Sequence, residues 1–164
     1  HLTMDAKKAI QMQLAGRRHW DLIIMHPPCT ALCVSGNAHY GTGKPKHDQR
    51  LEAIDYTLEM FELAKSVARF VCMENPVGVL PIKASQYVQP YEYGHPDSKK
   101  TGLWLHNLPR LEPTDVIPKP DRGHWDNQTP SGQNKLGPSP ERWKIRSKTY
   151  QGIADAMVQQ WSAA

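Results

Sequence analysis

The 164-residue chain has few cysteines and lacks long apolar runs. Its three cysteines are an odd number and contain no Cys-x-x-Cys pair, so they do not form the disulfide framework of a small secreted domain. A reducing compartment is the simpler interpretation. The apolar stretches are too short to cross a bilayer, and we therefore expect no membrane partner.

Repeats and phosphate loops are missing as well. The sequence contains no internal repeat and no low-complexity tract. Residues 41–44, Gly-Thr-Gly-Lys, lack the spacing of a Walker motif and follow no apolar strand, so we interpret them as a flexible loop with one cation. This excludes phosphate-loop nucleotide hydrolysis as a function class.

The composition is that of an ordinary globular protein. Charged residues make up 22% and hydrophobic residues 39%, and the length suffices for one domain with a real core. The net charge of +4 suits a polyanionic partner, although many enzymes share such a value. The first residue is His1 rather than Met, and we expect part of the domain to be missing upstream.

Hydrophobic periodicity predicts alternating helices and strands. Asp5 is a plausible N-cap of a first helix that ends at Gly16. Loops are expected at 34–47, which we interpret as mobile, and at the proline-rich 107–141. The other predicted elements are buried strands at 21–25 and 70–73, an amphipathic helix at 51–68 starting near Asp48, short strands at 86–89 and 103–105, and a closing helix at 152–161.

Two motifs follow the first two predicted strands. Residues 26–29, His-Pro-Pro-Cys, come after the first, and residues 74–76, Glu-Asn-Pro, come after the second. A helix between two strands predicts a parallel pair. The carboxyl ends of parallel strands open onto one crevice, where α/β sheets place their chemistry, so we expect a thiol and a carboxylate there.

The thiol and the carboxylate each allow two interpretations. Cys29 follows rigid prolines and precedes a glycine-bearing loop, which favours a nucleophile over the small buried hydrophobe that we expect of Cys33 and Cys72. Glu74 follows an apolar run, and burial would raise its pKa so that it carries a proton near neutrality. Alternatively, Glu74 is a structural carboxylate that accepts backbone N–H bonds.

The sequence also contains candidate metal ligands and, elsewhere, candidate nucleic-acid contacts. The spacing of His26, Cys29 and Cys33 matches no zinc framework, and we predict no metal. Lys99 and Lys100 follow a turn, and four cations between 142 and 148 are interleaved with Trp143 and flanked by Tyr150. Cations with aromatics suit a nucleic-acid backbone and its bases, although solvated surface charges would look the same.

In this order, the motifs resemble those of the DNA (cytosine-5) methyltransferases, above all the short stand-alone methyltransferase-like proteins of bacteriophages. The family's nucleophile lies in a Pro-Cys pair after the fourth strand and its acid in a Glu-Asn pair after the fifth. The matching segments here are 28–29 and 74–75, with weaker matches at Ser35-Gly36, at the aromatic-Gly-x-Pro stretch 93–96 and at Gly152-Ile153-Ala154.

The resemblance implies an α/β fold, a partial Rossmann-like methyltransferase fold with a mostly parallel sheet that lacks the first strands and carries a short irregular insertion. Its parts would be the catalytic region 1–106, a recognition-like segment 107–148 and a C-terminal helix 149–164. The family's glycine-rich cofactor loop is absent, and Lys99 and Thr101 stand where the family places arginines. The short recognition segment implies low sequence specificity, or specificity supplied by a partner.

The implied activity is methyl transfer from S-adenosylmethionine to C5 of a cytosine flipped out of DNA, in the cytoplasm of a bacterial or phage-infected cell. Cys29 would add to C6 and Glu74 would protonate N3. The remaining implied contacts are Ser35, Asn75, Lys99, Thr101 and Arg146 for the substrate, and Asp5, Pro27 and Pro28 for the cofactor. A non-catalytic DNA-binding remnant is the alternative. Amino-group methyl transfer ranks last, because a thiol replaces the aromatic residue of the Asp-Pro-Pro-Tyr motif.

Overall fold

The computed structural model describes residues 4–16 and 19–162, except for the side chain of Trp143. No helix in these ranges is long and apolar enough to cross a bilayer. The elements are α1 (Ala6–Ala15), β1 (Trp20–Met25), a 3₁₀ turn (Val34–Gly36), α2 (Asn37–Tyr40), α3 (His47–Val67), β2 (Ala68–Pro76), β3 (Gln86–Val88), a second 3₁₀ turn (Pro90–Glu92), β4 (Thr101–His106), α4 (Arg142–Ser147) and α5 (Gln151–Trp161).

The first helix begins and ends where local sequence signals predict. The Asp5 carboxylate accepts the backbone N–H of Lys8 at 3.0 Å and so satisfies a donor that has no partner within the helix. Gly16 follows the last turn, and Ile10 is the buried residue of α1. Both the predicted cap and the predicted end of α1 are therefore confirmed.

The four strands form one mixed sheet in the order β1-β2-β4-β3. β1 and β2 are parallel, as predicted, with register from Trp20↔Ala68 to Met25↔Met73. β4 runs antiparallel to β2, so the sheet is less parallel than expected. Parallel pairs need a long crossover, usually a helix, and within the described chain only α3 provides one between paired strands. The α/β class is confirmed.

Strand β2 lies at the centre of this sheet and β1 at its edge. Val71, Cys72 and Met73 are fully buried, as expected for a strand covered on both faces. The prediction that β1 is buried was wrong, because Leu22 and Ile24 are 39% and 40% exposed. Alternate residues of a strand point to opposite faces of the sheet. Leu22 and Ile24 lie on one face, and Ile23 and Met25, on the other face, pack against the core.

A hydrophobic core joins α3 to the central strands. Phe61 and Ala64 of α3 pack with Val71 and Met73 of β2 and with Trp104 of β4. These side chains are at most 7% exposed, so α3 has a fixed position against the sheet. The rigid pair of α3 and β2 thus supports whatever lies at the carboxyl ends of β1 and β2.

The chain divides into two compact units, which we describe separately. The first runs up to Tyr87 and includes Thr101–Leu108, and the second contains Val88–Lys100 and the chain from Pro109 onward. As predicted, 107–141 contains no helix or strand. Specific hydrogen bonds nevertheless hold this segment, among them those from Trp161 to the Pro109 carbonyl at 3.1 Å and between Gln160 and the Glu112 backbone.

Gly152 occupies a position in α5 where no side chain fits. Its N–H donates to His95 Nε2 at 2.9 Å, and an added Cβ would overlap the Tyr93 carbonyl oxygen. We expect Gly152→Ala to lower the free energy of unfolding by about 1–3 kcal/mol, because a backbone carbonyl cannot yield as a flexible side chain does. Urea titration followed by circular dichroism measures the loss.

The control for that substitution is Gly137→Ala. A Cβ at Gly137 would meet no atom within 4 Å, so we expect its free energy of unfolding to match the wild-type value. Equal losses in the two variants would show that crowding at Tyr93 is not the cause.

Candidate active site at the carboxyl ends of β1 and β2

The register of β1 and β2 brings their following residues together. Met25 lies opposite Met73, and the next residue on each strand is His26 and Glu74. The Nδ1–H of His26 donates to Glu74 Oε2 at 2.9 Å. The His26 side chain is 47% exposed and that of Glu74 only 17%. The carboxylate is thus largely withdrawn from water and contacts solvent through an imidazole.

A second contact ties the same two motifs. Asn75 is 1% exposed, and its Nδ2 donates to the carbonyl of buried Pro27 at 3.2 Å. Its Oδ1 is buried and accepts no hydrogen bond from any described residue. Such a group is costly unless a water or ligand reaches it. Asn75 therefore fixes the proline turn and leaves an acceptor for another molecule, while its predicted substrate contact stays a prediction.

The chain after Cys29 turns immediately. The Cys29 carbonyl accepts the N–H groups of Leu32 and Cys33, each at 3.0 Å, and the Cys29 side chain is half-buried. Residues 34–47, which we predicted as a mobile loop, contain the 3₁₀ turn and α2. Ser35, the predicted loop residue over the base, is exposed, and its Oγ lies 3.1 Å from Cys33 Sγ.

The segment that follows Glu74-Asn75 holds this turn from one side. Val79 N–H donates to the Leu32 carbonyl at 2.9 Å, and Cys33 forms an isolated β-bridge with Gly78. A side chain at Gly78 would overlap the Leu32 carbonyl, so glycine is required for this close approach. The two motifs are therefore joined both at the strand ends and through the segments that follow them.

The three thiols differ in their surroundings. Cys72 is fully buried, and burial, with the nearby charge of Glu74, raises its pKa to about 12. It is an inert core residue, as predicted. The same prediction for Cys33 was wrong, because Cys33 lies half-exposed in the turn beside Ser35. Cys29 and Cys33 are thus the two partly accessible thiols.

The other predicted substrate residues lie in different parts of the fold. Thr101 is buried at the start of β4, opposite Pro76, and so lies at the same end of the sheet as Glu74. Lys99 and Arg146 belong to the second unit. Lys99 Nζ donates there to the Lys148 carbonyl at 3.2 Å, and Arg146 is exposed on α4. Their contacts with DNA stay predictions.

A groove of about 550 Å³ borders the candidate site. Apolar side chains of α1, β1 and α3 line it, and Pro27 and Pro28 lie along it. Among the described residues no carboxylate lines this groove. The Asp5 carboxylate, predicted as a cofactor contact, caps α1 by accepting the backbone N–H of Lys8. The rest of the groove's lining includes His26 and Tyr56 as polar side chains, and no described carboxylate is there to pair with a cation.

No group of three or more His, Cys, Asp or Glu side chains within 4–16 and 19–162 is arranged to hold a metal ion. His26 contacts Glu74, and Cys33 contacts Ser35. The site thus contains a carboxylate–imidazole pair and a thiol–hydroxyl contact.

Sequence reasoning missed the pairing of His26 with Glu74, since it considered His26 only as a metal ligand. The necessary signal was present. The apolar runs 21–25 and 70–73 end immediately before His26 and Glu74, and parallel strands whose ends align place the next residues side by side. Aligning the ends of the two runs would have predicted the pair.

No protein-family model matches this chain, and a search of curated proteins found no significant match. The resemblance to cytosine methyltransferases therefore depends on the motifs and on where the fold places them.

Proposed function

We propose that the chain is a DNA (cytosine-5) methyltransferase that uses S-adenosylmethionine and a covalent Cys29 adduct. The observation that carries the proposal is that the two motifs meet at the same end of the sheet. The His26–Glu74 pair and the Asn75–Pro27 hydrogen bond join them there. A half-buried thiol follows one strand, and a shielded carboxylate lies near the carboxyl end of its parallel neighbour. Addition to a pyrimidine ring needs these two groups.

The chemistry follows from the weak nucleophilicity of an aromatic C5. The Cys29 thiolate adds to C6, and the displaced electron pair develops charge at N3, where Glu74 donates a proton. C5 is then enamine-like and would accept the methyl group from the cofactor's sulfonium, whose sulfur would leave as a neutral thioether. Loss of the C5 proton to solvent afterwards expels the Cys29 thiolate, and the N3 proton returns to the Glu74 carboxylate. His26, which contacts both solvent and Glu74, links this carboxylate to solvent for proton exchange.

DNA as the substrate is supported by the charge of the protein and by the chemistry of base access. A cytosine within duplex DNA must be flipped out of the stack before a thiol reaches C6. The net charge of +4 favours a polyanion. Lys144, Arg146 and Lys148 are exposed on or next to α4, where they are suited to phosphate contacts.

S-adenosylmethionine, when bound, supplies an electrophilic methyl group. The apolar groove beside Pro27 and Pro28, of about 550 Å³, is where we place the faces of its adenine ring. Pro27 is buried and fixed by Asn75, so this wall of the groove is rigid. The role of the chain's own residues is to orient the ring at Cys29 and to exclude water from Glu74.

The test is direct detection of the product. We expect purified protein, duplex DNA and S-adenosylmethionine to yield 5-methylcytosine in nucleoside mass spectrometry, and none without S-adenosylmethionine. The same measurement reads N4-methylcytosine and N6-methyladenine. Their appearance in place of 5-methylcytosine would contradict a C5 mechanism, as would unmodified DNA under saturating conditions.

A non-catalytic DNA-binding protein is the second candidate function. It is favoured by the groove, because no described carboxylate lines it and the cofactor's ammonium group would have no anionic partner there. Calorimetry with S-adenosylmethionine distinguishes the two functions. No heat at millimolar ligand, together with salt-dependent DNA binding, would support the binding protein.

A further inference from the structure

Arg50 is a buried cation whose three contacts all go to the loop after Cys29. It lies in the first turn of α3 and is 6% exposed. Its Nε donates to the Ala31 carbonyl at 2.7 Å, its Nη1 to Asn37 Oδ1 at 2.8 Å and its Nη2 to the Cys33 carbonyl at 3.3 Å. One guanidinium thus fastens the loop at three points.

These partners are neutral. Within the part of the chain that the structure describes, no carboxylate forms an ion pair with Arg50. Burying a cation without an opposite charge is costly, and an apolar side chain would fill the same volume at lower cost. The planar fork of donors is what this position requires, because a lysine ammonium cannot span three separated acceptors.

The loop is packed tightly against this side chain. A Cβ at Gly36 would lie 2.9 Å from the Thr30 carbonyl oxygen and 3.5 Å from Arg50 Nη2. The Ala31 and Cys33 carbonyls belong to the turn that the Cys29 carbonyl closes. The position of Cys29 is therefore coupled to that of Arg50 through the short turn 30–33.

We propose that Arg50 is a positioning residue, which transmits the fixed position of α3 to the turn carrying Cys29. This inference rests on the proposed function for its catalytic consequence. α3 packs in the core through Phe61 and Ala64, so its first turn is a rigid support for a loop whose own regular structure is limited to short turns of helix. Sites held on rigid elements keep reacting groups in place more accurately than loops alone.

The test measures thiol labelling, which needs no enzymatic activity. Wild-type protein, Arg50→Lys and Asn37→Ala are treated with iodoacetamide at pH 8, and the rate at each cysteine is read by peptide mass spectrometry. Asn37 is exposed, so its replacement removes one acceptor of Arg50 with little risk to folding. Arg69→Lys is the matched control, since Arg69 is an exposed arginine of β2 against the Phe70 ring.

Cys72 is the internal reporter of global opening, because it is fully buried. In Arg50→Lys we expect Cys29 labelling to accelerate by about tenfold, in Asn37→Ala by less, and Cys72 labelling to stay at the wild-type rate. Wild-type Cys29 labelling in both variants would overturn the proposal. So would equal acceleration of Cys72, since Arg50 would then stabilise the whole unit.

A second experiment measures the catalytic consequence separately from thiol labelling. With wild-type activity established, Arg50→Lys should lower kcat by at least about tenfold with the KM for DNA unchanged, because the loop is misplaced only at the reacting step. A raised KM with unchanged kcat would overturn the proposal. If the wild-type chain methylates no DNA, the proposed function fails, and the labelling rates still decide the role of Arg50.

Discussion

Replacing Cys29 by serine is expected to abolish methyl transfer while leaving DNA binding at the wild-type level. A serine hydroxyl is a far weaker nucleophile than a thiolate at neutral pH, so no C6 adduct forms and C5 stays unactivated. On the scale known for lost nucleophiles, turnover falls by at least about 10³-fold. Nucleoside mass spectrometry measures the product, and fluorescence anisotropy with labelled duplex measures binding.

The matched control is Cys33→Ser. Cys33 lies in the same turn, and its N–H donates to the Cys29 carbonyl at 3.0 Å. Both thiols are half-buried, so the two variants make the same chemical change in similar surroundings. We expect Cys33→Ser to retain turnover. A fully active Cys29→Ser enzyme would exclude the covalent mechanism.

Duplex DNA containing 5-fluorocytosine extends this test. Fluorine at C5 cannot leave as a proton does, so the enzyme–DNA adduct accumulates once the methyl group is transferred. We expect peptide mass spectrometry to locate the adduct at Cys29. An adduct at Cys33 would assign the nucleophile to the neighbouring thiol.

Local sequence signals predicted the elements of the first unit well. The Asp5 cap and Gly16 depend on hydrogen bonds within one helix, and the apolar run 21–25 is too short for anything but a strand. The parallel pairing of β1 with β2 follows from the intervening helix. In each case the relevant interaction lies within about twenty residues or is required by chain connectivity.

The sequence did not reveal features that depend on distant partners. β4 pairs with β2 across some thirty residues, and nothing in its own composition sets its direction. For the same reason β2 extends to Pro76, beyond the predicted end at Met73, because the antiparallel β4 provides partners as far as Thr101. The exposure of Leu22 and Ile24 likewise reflects the edge position of β1, which a single apolar run cannot specify.

In the candidate site, too, local features were predictable from the sequence and features that depend on distant partners were not. Cys29 and Glu74 stand out because their residue types are unusual at the ends of apolar runs. Arg50 carries no such signal, since a cation near the start of an amphipathic helix is ordinarily solvated. Its burial becomes evident only when the 30–37 loop folds over it and provides the Ala31 and Cys33 carbonyls.

Glu74→Gln is expected to reduce turnover by about 10²- to 10⁴-fold, the usual contribution of a general acid. The amide has nearly the same shape and still contacts His26, but it cannot deliver a proton to N3. Steady-state kcat measures the loss, with KM for DNA as the check that binding is retained. His26→Gln should lower kcat less, because Glu74 then exchanges protons with solvent directly.

Two further measurements separate a lost acid from a damaged fold. Glu62→Gln replaces an exposed carboxylate of α3 that pairs with Lys65, and we expect full turnover from it. Glu74 also contributes to the raised pKa of Cys72, so removing its charge should move that pKa downward, with burial still holding it above the ordinary value. A wild-type rate in Glu74→Gln would place the acid elsewhere. A Glu74→Gln variant with low turnover and a lowered free energy of unfolding in urea would show that Glu74 acts through the stability of β2 and not through its proton.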